Sequence, residues 1–255
     1  MRHYLYYFLL FFPFSTVIAS AKSLVDVVKE VKPSVVGVGV HAPFATISNQ
    51  LHGTGFVVGN GKYVVTNKHV INSQLEEGIK SQRVVFLPQG SAARVLPIKQ
   101  IFKSKHRDVA ILELETVLPA LNLVASNVVI DDGSSVAITG FPIGAILGLF
   151  PATHAGIVAA FTPDVIPVHH SSQLSQRFLK RAEAPAMVYQ LDLTAYPGNS
   201  GSPVYLSETG EVFAIINKGF VKETKEAAIE SPSGITYAIP VSELYSLAAE
   251  YDIPL

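Results

Sequence analysis

Short apolar runs separated by turn-forming segments recur along most of the chain. Between residues 34 and 240 these runs are rich in Val and Ile, and they read SVVGVGV, GTGFVV, KYVVT, RVVFL, DVAILEL, SVAIT, MVYQLDL, EVFAIIN and ITYAI. Many short strands at such spacing are typical of β-barrels or β-sandwiches. Because long periodic helices between the runs are missing, we do not expect a parallel α/β sheet.

Helical periodicity occurs at the two ends of this β-rich region. Residues 23–33, SLVDVVKEVKP, place their Leu and Val residues on one helical face and stop before Pro33, which predicts a short amphipathic helix. Residues 241–253, VSELYSLAAEYDI, show the same spacing behind Ser242, so we predict a C-terminal helix capped by this serine. The expected fold class is therefore all-β with short N- and C-terminal helices.

The first 21 residues, MRHYLYYFLLFFPFSTVIASA, have the composition of an export signal. They contain one Arg, then an apolar run, and end in small residues. A membrane anchor is the alternative, but the run from Tyr4 to about Ala19 is shorter than the roughly 20 residues that a spanning helix needs, and Pro13 interrupts it. We predict cleavage after Ala21, export to a periplasm or to the outside of the cell, and no stable membrane span afterwards.

A second uncharged segment, residues 133–163, is also long enough to cross a membrane. It contains no Lys, Arg, Asp or Glu, but Pro142, Pro151, His154 and several Gly divide it into short pieces. We therefore predict two buried strands, SVAIT and HAGIVAAF, joined by an apolar loop. Two further segments without clear periodicity, residues 162–186 and 218–234, are predicted to be long loops.

Composition narrows the classes of partner and of chemistry. The chain has 255 residues, of which 49% are hydrophobic and 15% charged, as in a globular protein. Removal of residues 1–21 leaves 18 basic and 20 acidic residues, so neither nucleic acid nor anionic lipid is an expected partner. The sequence contains no Cys, which excludes disulfides, thiol catalysis and Cys-based metal sites.

Three residues are candidates for nucleophilic catalysis. Ser200 lies in the Gly-rich turn TAYPGNSGSPVY, and a serine hydroxyl attacks a carbonyl only when a base removes its proton. His69 follows the strand KYVVT and the potential capping residues Thr66 and Asn67, so its imidazole is expected to be fixed at the start of a helical turn. Asp108 directly precedes an apolar strand, where its carboxylate can be buried and accept a hydrogen bond from an imidazole.

Each of these residues also has an ordinary structural explanation, as a strand-start cap, a cap neighbour or a turn residue. Their order along the chain, His then Asp then Ser, is that of the chymotrypsin-type barrels. The glycines on both sides of Ser200 permit a sharp turn, in which the amides of Gly198 and Ser200 can point at a developing oxyanion. The α/β-hydrolase motif does not fit, because Ser202 stands where that motif has Gly.

The other seven histidines have structural explanations. His3 leaves with the predicted signal, and the remaining six lie near turns, at strand ends or in a predicted loop: His41, His52, His106, His154, His169 and His170. The adjacent pair 169–170 is not expected to bind a metal, because neighbouring side chains in a loop rarely converge without further ligands. We expect no metal and no cofactor.

The chain resembles trypsin-like serine peptidases of the HtrA (DegP) type. The resemblance is carried, in order, by GTGFVV, VVTNKHV, RDVAILEL, GIVAAF, QLDLTAYPGNSGSPV, EVFAIIN and GITYAIP, over nearly all of residues 22–255. It implies two packed antiparallel six-stranded β-barrels, the first at about residues 34–118 and the second at about 132–241, followed by a helix at 241–252. It also implies a catalytic triad of His69, Asp108 and Ser200 in the cleft between the barrels.

Two departures from the family pattern affect the expectations. Family members usually continue into PDZ domains after the segment that GITYAIPVSEL matches, so peptide sensing by such a domain is not expected within this chain. The family's usual second Gly after the nucleophile is Ser202 here, as in the similar bacterial glutamyl endopeptidases, so activity is still expected.

In relatives, loops corresponding to residues 141–153, 162–186 and 218–234 order the oxyanion hole and link the subunits of a trimer. A homotrimer is therefore expected for this chain.

The resemblance assigns the specificity pocket to Thr194 at its floor and to Asn217 and Lys218 on its wall. Because Thr194 is not acidic, a preference for Lys or Arg is not expected, and Asn217 replaces the His that glutamyl enzymes carry. Cleavage after small or medium aliphatic residues is favoured, while Lys218 leaves an acidic preference open. The expected substrates are unfolded or damaged proteins.

Two alternatives to an endopeptidase remain. One is a catalytically silent or chaperone-like module that binds polypeptides on the same fold, and the other is an esterase that uses the same triad.

A His general base must be neutral, so a peptidase of this kind is expected to lose activity below about pH 6.5.

Overall fold

Seven antiparallel strands form the first sheet of the protein. The computed structural model describes residues 22–72, 80–90, 92–143, 149–164, 185–219 and 234–255. The strand order is β5-β4-β1-β2-β3-β7-β6. The strands are β1 Val35–His41, β2 Asn49–Val58, β3 Tyr63–Thr66, β4 Gln82–Gln89, β5 Ala92–Pro97, β6 Gln100–Lys103 and β7 Ala110–Glu113. One helical turn, α2 Lys68–Ile71, follows β3 directly.

Six antiparallel strands form a closed barrel in the second half of the chain, in the order β10-β13-β12-β11-β8-β9. These strands are β8 Ser135–Gly140, β9 Ala152–Pro163, β10 Met187–Asp192, β11 Pro203–Leu206, β12 Val212–Gly219 and β13 Ile235–Pro240. The two strands predicted within the uncharged segment 133–163 are therefore confirmed as β8 and β9. No helix in the described ranges is long and apolar enough to cross a membrane.

The prediction of an all-β fold built from two barrel-like sheets is confirmed, with a difference in the first sheet. There, seven strands form the sheet, and its edge strands β5 and β6 show no pairing with each other among the described residues. The two strands are separated only by Ile98 and Lys99, so the chain bends from one edge to the other. The bend directs the Lys99 N–H to the Glu113 carbonyl of β7, at 2.8 Å.

Both predicted helices are present. The first, α1 Leu24–Val31, is capped by the Ser23 side chain, which accepts a hydrogen bond from the Asp26 N–H, and a 3₁₀ turn over Lys32–Ser34 follows. The last, α3 Val241–Glu250, begins directly after β13 with Pro240 at the N-cap. The predicted Ser242 cap is wrong, because β13 runs without a loop into the helix and leaves Ser242 inside the first turn.

An apolar cluster joins the two sheets. Phe56 and Ile111 of the first sheet pack in one cluster with Ile138 and Tyr189 of the barrel and with Leu244 of α3. A second apolar cluster, which includes Val64 and Leu112, is formed within the first half of the chain and forms the core of the first sheet. Burial of these side chains fixes the two sheets against each other. The end of β3 lies against the loop before β11, where a Cβ on Gly201 would be 2.6 Å from the Thr66 hydroxyl oxygen.

Several predictions fall outside the described residues. The predicted signal, residues 1–21, lies there entirely, as do most of the two predicted loops and part of the apolar loop, at residues 165–184, 220–233 and 144–148. The domain boundaries therefore stay predictions.

Candidate active site

Strand pairing brings His69 and Asp108 together. Thr66, the last residue of β3, pairs with Ala110, the first residue of β7. The residues just after β3 therefore lie beside the residues just before β7. His69 Nδ1 lies 2.6 Å from Asp108 Oδ2, and the His69 backbone N–H donates to Asp108 Oδ1 at 2.9 Å. The carboxylate thus holds both the ring and the backbone of the histidine.

The residues before His69 stabilise this arrangement differently from the prediction. Asn67 occupies the N-cap of α2, but its side chain makes no capping bond; Nδ2 donates to the Asp108 carbonyl oxygen at 2.9 Å. The Thr66 hydroxyl donates to the Thr54 carbonyl oxygen at 2.7 Å. Both side chains are fully buried. They therefore fasten the histidine segment to neighbouring strands, and the predicted capping by these two side chains is wrong.

Asp108 is ionised under neutral conditions. Burial by itself raises the pKa of its carboxyl, but the hydrogen bond from the His69 ring, the charge of that ring, the His69 N–H and the nearby Lys68 together lower the pKa below its ordinary value. When the ring is neutral, the ionised carboxylate keeps its one proton on His69 Nδ1, and Nε2 is then the acceptor. About half of the His69 side chain is exposed, 49% against 28% for Asp108, so the ring is accessible from solvent.

Ser200 lies on a tight turn between two glycines in left-handed conformations. Gly198 has φ +100° and Gly201 has φ +86°, and a Cβ on Gly201 would lie 2.1 Å from the Thr54 carbonyl oxygen. The Ser200 carbonyl accepts a hydrogen bond from the Thr54 N–H at 2.9 Å. Its hydroxyl donates to the Asn217 carbonyl oxygen at 3.2 Å. Among the described residues, the Ser200 hydroxyl makes this hydrogen bond and makes none to His69.

The amides of Gly198 and Ser200 have no hydrogen-bond partner among the described residues. The carbonyl oxygen of Pro197 accepts from the Ile143 N–H at 2.7 Å. Because the Pro197–Gly198 peptide is trans, its N–H points away from its carbonyl. The Gly198 amide is therefore directed away from Ile143 and is available to a bound anion.

The residues assigned to the specificity pocket lie around this turn. Thr194 is half-buried and follows Leu193, whose carbonyl accepts from the Thr236 hydroxyl of β13 at 2.8 Å. Asn217, also half-buried, lies in β12 and contacts Ser200 through its backbone carbonyl. Lys218 belongs to β12, but its side chain lies outside what the structure describes.

Two features near the turn were missed by the sequence interpretation. His154 of β9 packs against Tyr196, with ring centroids 5.6 Å apart, and its buried Nε2 has no partner in the described part of the chain. Burial lowers the pKa of His154. Thr54 contacts the turn from the first sheet. In the sequence, its only signal is its position between two glycines in GTG, a pattern that also occurs in ordinary strands.

The described residues contain no group of three His, Cys, Asp or Glu side chains that could hold a metal ion. The chemistry that the site itself offers is acyl transfer. It combines a hydroxyl on a turn, an imidazole held by a carboxylate, and two amides beside the hydroxyl that no other described residue occupies.

Comparison with known proteins agrees with this geometry. The model of the trypsin-like peptidase domain matches residues 53–215. A probable periplasmic serine endoprotease, DegP-like, of Hahella chejuensis is 29% identical over 194 residues, which are 75% of this chain and 34% of that protein. Serine protease HTRA3 of Mus musculus is 24% identical over 231 residues, 89% of this chain and 44% of that protein. The chain thus spans less than half the length of these relatives.

Solved structures show the same fold. A serine endoprotease from Yersinia pestis aligns with a TM-score of 0.59 and 24% identity, over 91% of this chain and 67% of that one. The HtrA-type protease AlgW with a decapeptide aligns with a TM-score of 0.64 and 20% identity, over 91% and 68%. The resemblance to HtrA-type peptidases that the sequence predicted is confirmed by these comparisons.

Proposed function

The chain belongs to the family of trypsin-like peptidase domains, and we propose that it is a serine endopeptidase that hydrolyses peptide bonds of unfolded or damaged proteins. The observation that carries this proposal is the double contact between His69 and Asp108, at 2.6 and 2.9 Å. This segment lies against the Ser200 turn, since a Cβ on Gly201 would be 2.6 Å from the Thr66 hydroxyl oxygen. A carboxylate that binds both the Nδ1 proton and the backbone of one histidine leaves Nε2 free to act as a base.

In the proposed mechanism, Ser200 is the nucleophile and His69 is the general base. The Ser200 hydroxyl turns from the Asn217 carbonyl toward His69 Nε2 when a substrate enters, and it loses its proton as its oxygen attacks the peptide carbonyl. Asp108 orients the ring and stabilises the imidazolium that forms. His69 then returns the proton to the leaving amine, and water repeats the sequence on the acyl-enzyme.

The Gly198 and Ser200 amides form the oxyanion hole in this proposal. Their N–H groups lack partners among the described residues, so they can donate to the negative oxygen of the tetrahedral intermediate. Loss of one such donor typically costs about 3 to 4 kcal/mol of transition-state stabilisation.

Substrate preference is proposed from the pocket residues. Thr194 at the floor and Asn217 on the wall are neutral and half-buried, which suits a small or medium aliphatic side chain before the cleaved bond. Cleavage after acidic residues would instead indicate that Lys218 determines the substrate preference. Sequencing of the cleavage products from a casein digest separates the two outcomes.

Export and assembly are further parts of the proposal. The apolar start of the sequence and the periplasmic location named for DegP-like relatives support export to the periplasm or beyond the cell. A homotrimer is supported by the family resemblance alone. The proposed partners are polypeptide substrates, and the balance of charges gives no reason to include nucleic acid.

Activity is tested by comparing residues 22–255 with the Ser200→Ala variant on an unfolded casein substrate. We expect cleavage by the wild type and a rate indistinguishable from background in the variant. A matched Ser246→Ala variant, on the outer side of α3, should cleave at the wild-type rate. Cleavage that survives Ser200→Ala would reject the mechanism.

A silent polypeptide-binding module is the second candidate function. It is favoured by one observation, the hydrogen bond that the Ser200 hydroxyl donates to the Asn217 carbonyl instead of to His69. If this arrangement persists with substrate present, the protein should bind unfolded casein without cleaving it. The Ser200→Ala variant should then bind casein as tightly as the wild type.

A further inference from the structure

Thr54 belongs to the first sheet, yet it makes three hydrogen bonds to the second half of the chain. Its hydroxyl donates to the Gly198 carbonyl at 2.8 Å and accepts from the Phe141 N–H at 3.0 Å. Its backbone N–H donates to the Ser200 carbonyl at 2.9 Å. The side chain is fully buried, and both roles of its hydroxyl, donor and acceptor, are used.

These bonds fix the peptide groups on both sides of Gly198. On one side, the Ile143 N–H holds the Pro197 carbonyl at 2.7 Å. On the other side, the Thr54 hydroxyl holds the carbonyl of Gly198 itself. Gly198 has φ +100° and no side chain, so without these contacts its amide could rotate easily. The direction of the Gly198 N–H therefore depends on two hydrogen bonds, and Thr54 makes one of them.

Thr54 also supports the other bond, through the segment 141–143. Ile143 has φ +48°, a left-handed conformation that is strained for a β-branched residue. Its N–H nevertheless contacts Pro197, two residues after Phe141 binds the Thr54 hydroxyl. One hydroxyl thus anchors both the nucleophile turn and the strained segment that packs against it.

The atoms around Thr54 are closely packed. A Cβ on Gly140 would lie 2.9 Å from the Thr54 hydroxyl oxygen, and a Cβ on Gly53 would lie 2.9 Å from the Ser200 carbonyl oxygen. The backbones therefore approach closely around Thr54. In GTG, Gly53 permits the approach to the Ser200 carbonyl, and the threonine supplies the hydroxyl.

We propose that Thr54 is a positioning residue that holds the Gly198 amide in the orientation needed to bind the oxyanion. This inference rests on the proposed peptidase function and adds a residue outside the triad and outside the amides themselves. The hydroxyl acts through Gly198 and Phe141 and does not touch the substrate.

The test compares Thr54→Val, which keeps the shape and removes the hydroxyl, with Thr54→Ser, which keeps the hydroxyl. The substrate is a reporter peptide taken from the strongest cleavage site in the casein digest. We expect kcat to fall by about 10- to 100-fold in Thr54→Val with little change in KM, because the lost contact acts on the transition state. Thr54→Ser should restore kcat close to that of wild type.

Thr139→Val is the matched control. Thr139 is equally buried, and its hydroxyl bonds to those of Thr153 and Tyr205, away from Gly198. This variant can lose stability but should keep kcat. Equal losses of kcat in Thr54→Val and Thr139→Val would overturn the proposal, and so would a Thr54→Val enzyme that keeps wild-type kcat.

Amide hydrogen exchange of residues 196–203 gives a readout that needs no turnover. Exchange there should be faster in Thr54→Val than in wild type, and unchanged in Thr139→Val. If Thr54→Val does not fold, Thr54→Ala supplies the same comparison without the added methyl group. A wild type that does not cleave casein would reject the proposed function, whereas unchanged exchange in the Thr54 variants would reject this inference.

Discussion

His154 is a half-buried histidine beside the nucleophile turn, and its environment makes stability depend on pH. Its Nε2 has no partner in the described part of the chain, and burial lowers its pKa in the folded state. As pH falls below about 6.5, the unfolded chain takes up a proton before the folded protein does. Stability is therefore lost progressively from this pH down to the folded pKa.

Replacement of His154 by Gln should reduce this loss. We expect the free energy of unfolding, measured with urea, to fall less between pH 7 and pH 5 in His154→Gln than in wild type. The ionised Asp108 acts in a different range, because its lowered pKa stabilises the fold above about pH 4 and this contribution disappears as pH falls further. Parallel pH profiles for wild type and variant would contradict the assignment to His154.

Arg107 connects the loop before β7 to the second half of the molecule. Only 10% of its side chain is exposed. Its guanidinium lies 3.3 Å from Glu243 of α3 and 3.9 Å from Asp164, and Nη2 donates to the Met187 carbonyl at 3.1 Å. Because Arg107 directly precedes Asp108, the same contacts also limit the movement of the carboxylate that holds His69.

Arg107→Met should destabilise the protein by about 1 to 3 kcal/mol, less than for a fully buried ion pair, because Glu243 and Asp164 are partly exposed. Urea unfolding gives this difference. Lys105→Met is the matched control, since the Lys105–Glu250 ion pair is exposed and joins the same loop to the same helix. Equal losses in both variants would show that burial of Arg107 has no role.

The sequence predicted the strands better than the local contacts at their ends. Pro, Gly and His residues that divide an uncharged segment into short apolar pieces identified β8 and β9, because strand formation follows a pattern spread over many residues. The caps expected from Thr66, Asn67 and Ser242 were wrong. Each depended on one polar side chain, and long-range partners or a direct strand-to-helix junction determined where that side chain lies.

In the candidate site, too, some features could be predicted from the sequence and others depended on long-range contacts. The proximity of His69 and Asp108 follows from the pairing of β3 with β7, and each residue lies beside a recognisable strand. Thr54 could not be identified from the sequence, because its role depends on contacts with Gly198 and Phe141, 144 and 87 residues away. The direction of the Ser200 hydroxyl likewise follows from the position of the β12 backbone.

At the scale of the whole molecule, exposed apolar residues bear on the proposed trimer. Phe44 and Ile47 lie in the turn between β1 and β2 with 84% and 64% of their surface exposed, and Phe150 precedes β9 with 60% exposed. Assembly of copies would cover such residues. Size-exclusion chromatography with light scattering should give three times the chain mass at micromolar concentration. A monomer mass would remove the trimer from the proposal.

The central claim is that Ser200 is a nucleophile activated by His69. It is tested most directly by treating residues 22–255 with a fluorophosphonate probe and locating the adduct by peptide mass spectrometry. We predict one adduct, on the peptide that contains Ser200, formed much more slowly in His69→Ala and absent in Ser200→Ala. An unlabelled wild type, or labelling that persists in Ser200→Ala, would contradict the claim.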